Sequence, residues 1–408
     1  MSTPARTASA PPRLSRAPRA SDATALAPAT YTLCRDRDAE ARVSQDLARL
    51  AAAVDAELDR ALSALFLVGS YARGEGSVVE RSGELHADSC YELIAVVGSA
   101  KRNDHALFER IAATWSDRLG VDVHITARTL SELEHASAAL TWVDVAAGKI
   151  ELLIGDSAVL TRLRALHPKD VPAQAWAATL CDAAVSVAIW NIDPLGRQHR
   201  GARALHQATL ACGDALLLSA SCFAFDTDER CAELVRIEGH HDLPGLGAAY
   251  GRALEHQARP DRASDAGASA AEHIATIARA HLHLEAKRLG TPRDALGYAL
   301  FNERLWSDTP FFGMRALRAT LRAARSGASA PLRPGDARER LARAAVLLAY
   351  EPERPEARHL AARLLDLRHD ARTTPGDVEL FVRLRELRDQ VQRTRLDDPL
   401  ANARYGRG

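Results

Sequence analysis

The run Leu65-Phe66-Leu67-Val68 closes on Gly69-Ser70-Tyr71-Ala72-Arg73-Gly74-Glu75-Gly76, and no other stretch constrains the chain as tightly. Four apolar residues in succession read as a strand buried on both faces. A strand that stops at Gly-Ser makes a phosphate cradle. Glycine lets an anion approach the backbone, serine adds a hydroxyl, and amide N–H groups are left free at the turn. A second apolar run, Cys90-Tyr91-Glu92-Leu93-Ile94-Ala95-Val96-Val97, carries an acid near its start. Residues two apart on a strand share a face, so positions 90 and 92 point together, about 6–7 Å apart by the strand rise. The polar segment from Gly76 to Asp88 is expected to be the loop between the two strands. Val121-Asp122-Val123-His124-Ile125 opens a third strand over 121–127, with Asp122 as its acid.

This order of elements resembles the nucleotidyltransferase superfamily, the DNA polymerase beta-like group, in its minimal and antibiotic-adenylylating branch. That signature is an apolar strand, Gly-Ser, a spacer, acid-apolar-acid, and a third carboxylate on a following strand. The resemblance covers roughly Leu62 to Ile125. It implies a nucleoside triphosphate as substrate, Mg²⁺ as cofactor, and a hydroxyl of a small molecule or protein as acceptor. Residue by residue, it implies nucleotide binding by Gly69, Ser70 and Arg73, and metal binding and catalysis by Glu92 and Asp122. One position departs from the pattern: Cys90 stands where the family has its first metal-binding Asp. Magnesium wants oxygen ligands, whereas a thiol is soft and mostly protonated near neutral pH. Two expectations follow. Either the protein transfers a nucleoside monophosphate, or it is a catalytically inactive member of the fold that binds nucleotide or a partner.

The neighbouring residues leave alternatives open. Asp88 shares a face with Cys90 but lies ~13 Å from Glu92 by strand rise, so it reaches the same ion only if a bulge shortens the path. Arg73 and Glu75 either reach toward a bound phosphate or form a local ion pair. The resemblance also implies a basic residue six positions before Gly213. That place is Gln207, with Arg200 and Arg203 a turn or two earlier. Cys90 as a covalent nucleophile has no base near it in sequence.

A chain of 408 residues, 47% hydrophobic and 26% charged, has room for two or three folded domains. Its net charge of +0 argues against a broad nucleic-acid or membrane surface. None of the six cysteines lies in a C-x-x-C pair, which suggests buried thiols in a reducing, cytoplasmic compartment. No apolar run is read as membrane-spanning. Residues 1–37 are expected to be a disordered tail, rich near its start in Ala, Pro, Ser, Thr and Arg. Alternating strands and helices over 38–156, including a helix at 38–60 and a strand at 149–154, predict a small mixed-sheet domain. Thr129 with Glu132 reads as a capping box. The remainder is helical: 157–258 as one domain, with helices at 171–192, 200–221 and 228–238, and 270–408 as a C-terminal helical region. The latter has helices at 271–288, 337–350, 355–368 and 376–394. His256–Ser269 and Ser326–Gly335 read as linkers. The expected class is therefore α+β. His281 and His283 are two apart on a helix, do not share a face, and are expected on the helix surface rather than as zinc ligands. His240-His241-Asp242 reads as a loop cluster.

Overall fold

The computed structural model describes residues 30–58, 61–98, 102–134, 147, 149–162, 167–193, 201–261, 270–301, 337–367 and 374–397. The fold is α+β: a mixed sheet at the N-terminal side, then helices. Four strands form the sheet in the order β5-β4-β1-β6: β1 (Leu62–Val68), β4 (Tyr91–Val97), β5 (Val123–Thr129) and β6 (Glu151–Gly155). β1 runs antiparallel to β4 and β6, and β4 runs parallel to β5.

The two faces of the sheet are packed unequally. Helix α1 (Arg37–Leu58) lays Val43, Leu47, Leu50 and Val54 against Leu65, Leu67, Leu93 and Ala95, joined by Phe108 and Ile111 of α3 (Arg102–Leu119). On the opposite face, Phe66, Val68, Ile94 and Val96 meet Leu133 of the short α4 (Leu130–Glu134) in a much smaller cluster. Every residue from Ala64 to Val68 is buried, as a central strand covered on both faces requires.

The segment 76–88 is not the plain loop expected from its polarity. It holds an antiparallel hairpin, β2 (Val78–Arg81) and β3 (Glu84–Ala87). Ser82 and Gly83 both have positive φ, 53° and 83°, which matches the twist of a tight hairpin turn. The stretch before α1 is also packed. Tyr31 is buried and donates its hydroxyl to Glu151 Oε1 at 2.8 Å; Thr32 donates to Glu40 through its backbone N–H at 2.9 Å and its hydroxyl at 2.6 Å. Residues 30–36, assigned to the tail from composition, are therefore part of the sheet domain, while residues 1–29 lie outside the described residues.

The helical part contains α5 (Ala173–Ile192), α6 (Gly201–Ser219), α7 (Thr227–Glu238), α8 (Leu246–Ala258), α9 (Ala270–Leu289), α10 (Ala295–Leu300), α11 (Ala337–Tyr350), α12 (Pro355–Leu364) and α13 (Asp377–Asp397). They share one apolar core that includes Leu180, Leu216, Leu284, Leu347 and Leu384. α5 is, against the sequence expectation, long and apolar enough to cross a membrane, yet Leu180, Ala184, Val187 and Ala188 are buried in this core. Among the described residues, two helices went unread from sequence, α8 and α10. α8 takes in His256, so the linker begins later than expected. The Ser326–Gly335 linker lies outside the described residues.

Candidate active site

β1 delivers Gly69-Ser70, the start of the one-turn helix α2 (Gly69–Ala72), to the end of the sheet, beside the start of β4. Val68 pairs with Glu92, so the turn and the acid are neighbours by register. Gly69 has φ +75°, and a Cβ there would sit 2.9 Å from Glu92 Cδ. The Glu92 carboxyl therefore lies directly against the glycine, in the space a side chain would take. Glycine answers both demands, the left-handed backbone and the close approach.

Across the parallel pair, Glu92 lies opposite His124. Asp122, two residues earlier, falls on the same face and bonds through its carbonyl to the Tyr91 N–H at 2.8 Å. The structure thus brings Gly69, Ser70, Cys90, Glu92 and Asp122 to one end of the sheet. Asp122 and His124 are exposed there, and Glu92 is half-buried. His124 was not singled out from sequence. The alternation Val-Asp-Val-His-Ile, which puts His124 on the acid's side of the strand, is the signal that would have found it.

Cys90 donates its thiol to Glu92 Oε1 at 3.5 Å. Burial pushes the thiol up to about 12, helped by the charges of Glu92 and Asp122 and by the bond to Glu92. A thiol held protonated is neither a nucleophile nor a metal ligand. Among the described residues, no group of three or more His, Cys, Asp or Glu is arranged to hold a metal ion. A two-ion, three-carboxylate site therefore does not fit this donor set.

The other half of the signature packs toward the helices. Arg73 Nε donates to Glu75 Oε2 at 2.9 Å, the local ion pair that the sequence left as one alternative. Glu75, 5% exposed, also pairs with Arg230 of α7. Arg230 Nη1 lies 3.8 Å from Asp214 of α6, which accepts a 2.6 Å bond from the Tyr250 hydroxyl of α8. Gln257 of α8 donates to the Glu75 carbonyl at 2.8 Å. Gly213 is required beside Asp214, because a Cβ there would run into the Tyr250 ring. Tyr71 anchors both ends of the inserted hairpin: its hydroxyl donates to Ser77 O at 2.8 Å and accepts from the Asp88 N–H at 3.2 Å.

Asp88 accepts from Arg203 Nη1 of α6 at 3.1 Å, so it serves the joint between sheet and helices instead of replacing the carboxylate missing at Cys90. Gln207 is exposed on α6, and Arg200 lies outside the described residues. No family model matches the chain, and no curated protein does.

The remaining cysteines are free; Cys181 and Cys212 are buried, and Cys34, Cys222 and Cys231 are half-buried. His281 is a correction. It is buried, not on the surface, and its Nδ1 lies 2.7 Å from the Tyr350 hydroxyl.

Proposed function

We propose that the protein is a nucleotidyltransferase-type nucleotide-binding protein, whose cleft takes a nucleoside triphosphate carrying one magnesium ion and in which transfer is impaired at Cys90. The observation that carries this reading is the Glu92 carboxyl set against the Gly69 turn, with the Cys90 thiol 3.5 Å from it where the order of the motif calls for a carboxylate. A cleft bearing Glu92 and Asp122 repels a bare triphosphate. Magnesium commonly binds through one or two carboxylates plus substrate phosphates, so an ion arriving on the nucleotide needs no third acid. Glu92 and Asp122 are the residues that would hold it, and its charge would offset that of the phosphates. The backbone at Gly69 and the Ser70 hydroxyl would contact the phosphates.

Full transfer of a nucleoside monophosphate to a hydroxyl of a small molecule or protein is the second reading. It is favoured by Glu92 and Asp122 sharing one face and weakened by Cys90. Calorimetric titration with ATP separates binding from its absence. Binding is expected with Mg²⁺ and lost with a chelator, and Glu92→Gln should weaken it by about tenfold or more, the scale of one charge-assisted contact. ATP binding that ignores Mg²⁺, or no binding at millimolar ATP, overturns the proposal.

A further inference from the structure

A polar cavity lies in the helical part, on elements that contribute nothing to the residues around Gly69 and Glu92. It has a volume of about 500 Å³ and is lined by His241, His283, Lys287, Thr291 and Arg293. His241 ends the short turn after α7. His283 and Lys287 lie one helical turn apart on α9, on the same face. Thr291 and Arg293 follow in the connection to α10.

Three properties converge here. The first is unbalanced charge. Arg288, next along α9, is paired with Glu285, whereas Lys287 and Arg293 have no carboxylate partner among the described residues. The C-terminal carbonyls of α9 offer only about half a negative charge against these two full positive ones. The second is unmet hydrogen bonding. Thr291 is 5% exposed, and neither its Oγ1 nor His283 Nε2 has a partner. Buried polar groups left so are rare, and an unseen ligand is one of the recognised reasons. The third is the state of the histidines. Burial first, then Arg293, His241 and Lys287, hold His283 below its usual range, with Asp242 opposing; burial, Lys287 and His240 do the same to His241. Both rings face a positive field that an anion would cancel.

We propose that this cavity is a binding site for a phosphate-type oxyanion, either free phosphate or the phosphate ester of a small molecule. Arg293 offers a planar fork suited to such oxygens, Lys287 adds a point charge, and Thr291 and His283 supply donors. Bound anion favours the protonated imidazoles, so their proton affinity rises on binding.

The test follows the ring signals of His241 and His283 by NMR while inorganic phosphate, and separately AMP, is added to the full chain without Mg²⁺. Phosphate should shift both signals and raise their titration midpoints. Lys287→Met and Arg293→Met, both at exposed positions, should each weaken binding by about tenfold or more. Glu92→Gln should leave it unchanged, which separates this site from the sheet cleft. AMP binding as well as phosphate identifies an ester site; phosphate alone identifies a free-anion site. Unshifted histidine signals at saturating phosphate, or equal affinity in the Lys287→Met and Arg293→Met variants, would overturn the proposal.

Discussion

Two halves of one short motif meet opposite surroundings. Gly69-Ser70 lies beside acids that are half-buried or exposed. Arg73-Gly74-Glu75, three residues on, enters a buried joint where Arg230, Asp214, Tyr250 and Gln257 satisfy it. Surface charges that meet few partners are cheap to change, whereas a buried pair is costly to break from one side. The first half of the motif thus lies among the more exposed acids, and the second half fixes the sheet domain on the helices.

The comparison can be broken most forcefully at Arg230. Arg230→Ala removes the cation between Glu75 and Asp214 inside the joint, leaving Glu75 with Arg73 alone. A loss of about 3–5 kcal/mol is expected in urea unfolding, the usual cost of removing one partner from a buried pair. A change below about 1 kcal/mol would mean that the joint is not a buried electrostatic unit.

A smaller effect should come from acid. His281 is held at about 3, by burial first and then by Arg288, against an ordinary value of 6.5. The unfolded chain therefore binds the extra proton between those values. Stability from this residue is complete above about pH 6.5 and declines as pH falls, by about 2 kcal/mol at pH 5. His206 acts in the same direction, held at about 3 by burial and by its neighbours His256 and His273. Thermal melts from pH 8 to pH 5 in His281→Asn and the parent should converge at low pH. Parallel curves would remove His281 from the account.

The mildest cost in stability is expected at Gly69. Gly69→Ala places a side chain at positive φ and against the Glu92 carboxyl, for about 1–2 kcal/mol. Nucleotide affinity should fall further than stability, because Glu92 must move. The reverse pattern would place Gly69 with Glu75, as a structural residue only.

Much of the sheet could be read directly, since β1 and β4 are continuous apolar runs and their order fixes the acid beside the turn. What stayed hidden was nonlocal or masked by composition. Glu75 and Arg230 are 155 residues apart, and nothing in either segment points to the other. α8 has Leu246, Ala249, Tyr250 and Ala253 buried at helical spacing, but Gly247 and Gly251 within it dilute that signal. Tyr31 and Thr32 lie at the edge of a low-complexity stretch, and their partners Glu151 and Glu40 are supplied by the fold.

The central claim is that Cys90 is the position limiting the cleft. It is tested most directly by Cys90→Asp, measuring Mg²⁺-dependent ATP affinity and pyrophosphate release beside the parent. A third carboxylate beside Glu92 and Asp122 should tighten binding and raise release well above the parent, with Glu92→Gln in that background removing both gains. A Cys90→Asp protein that binds and releases no better than the parent would contradict the account.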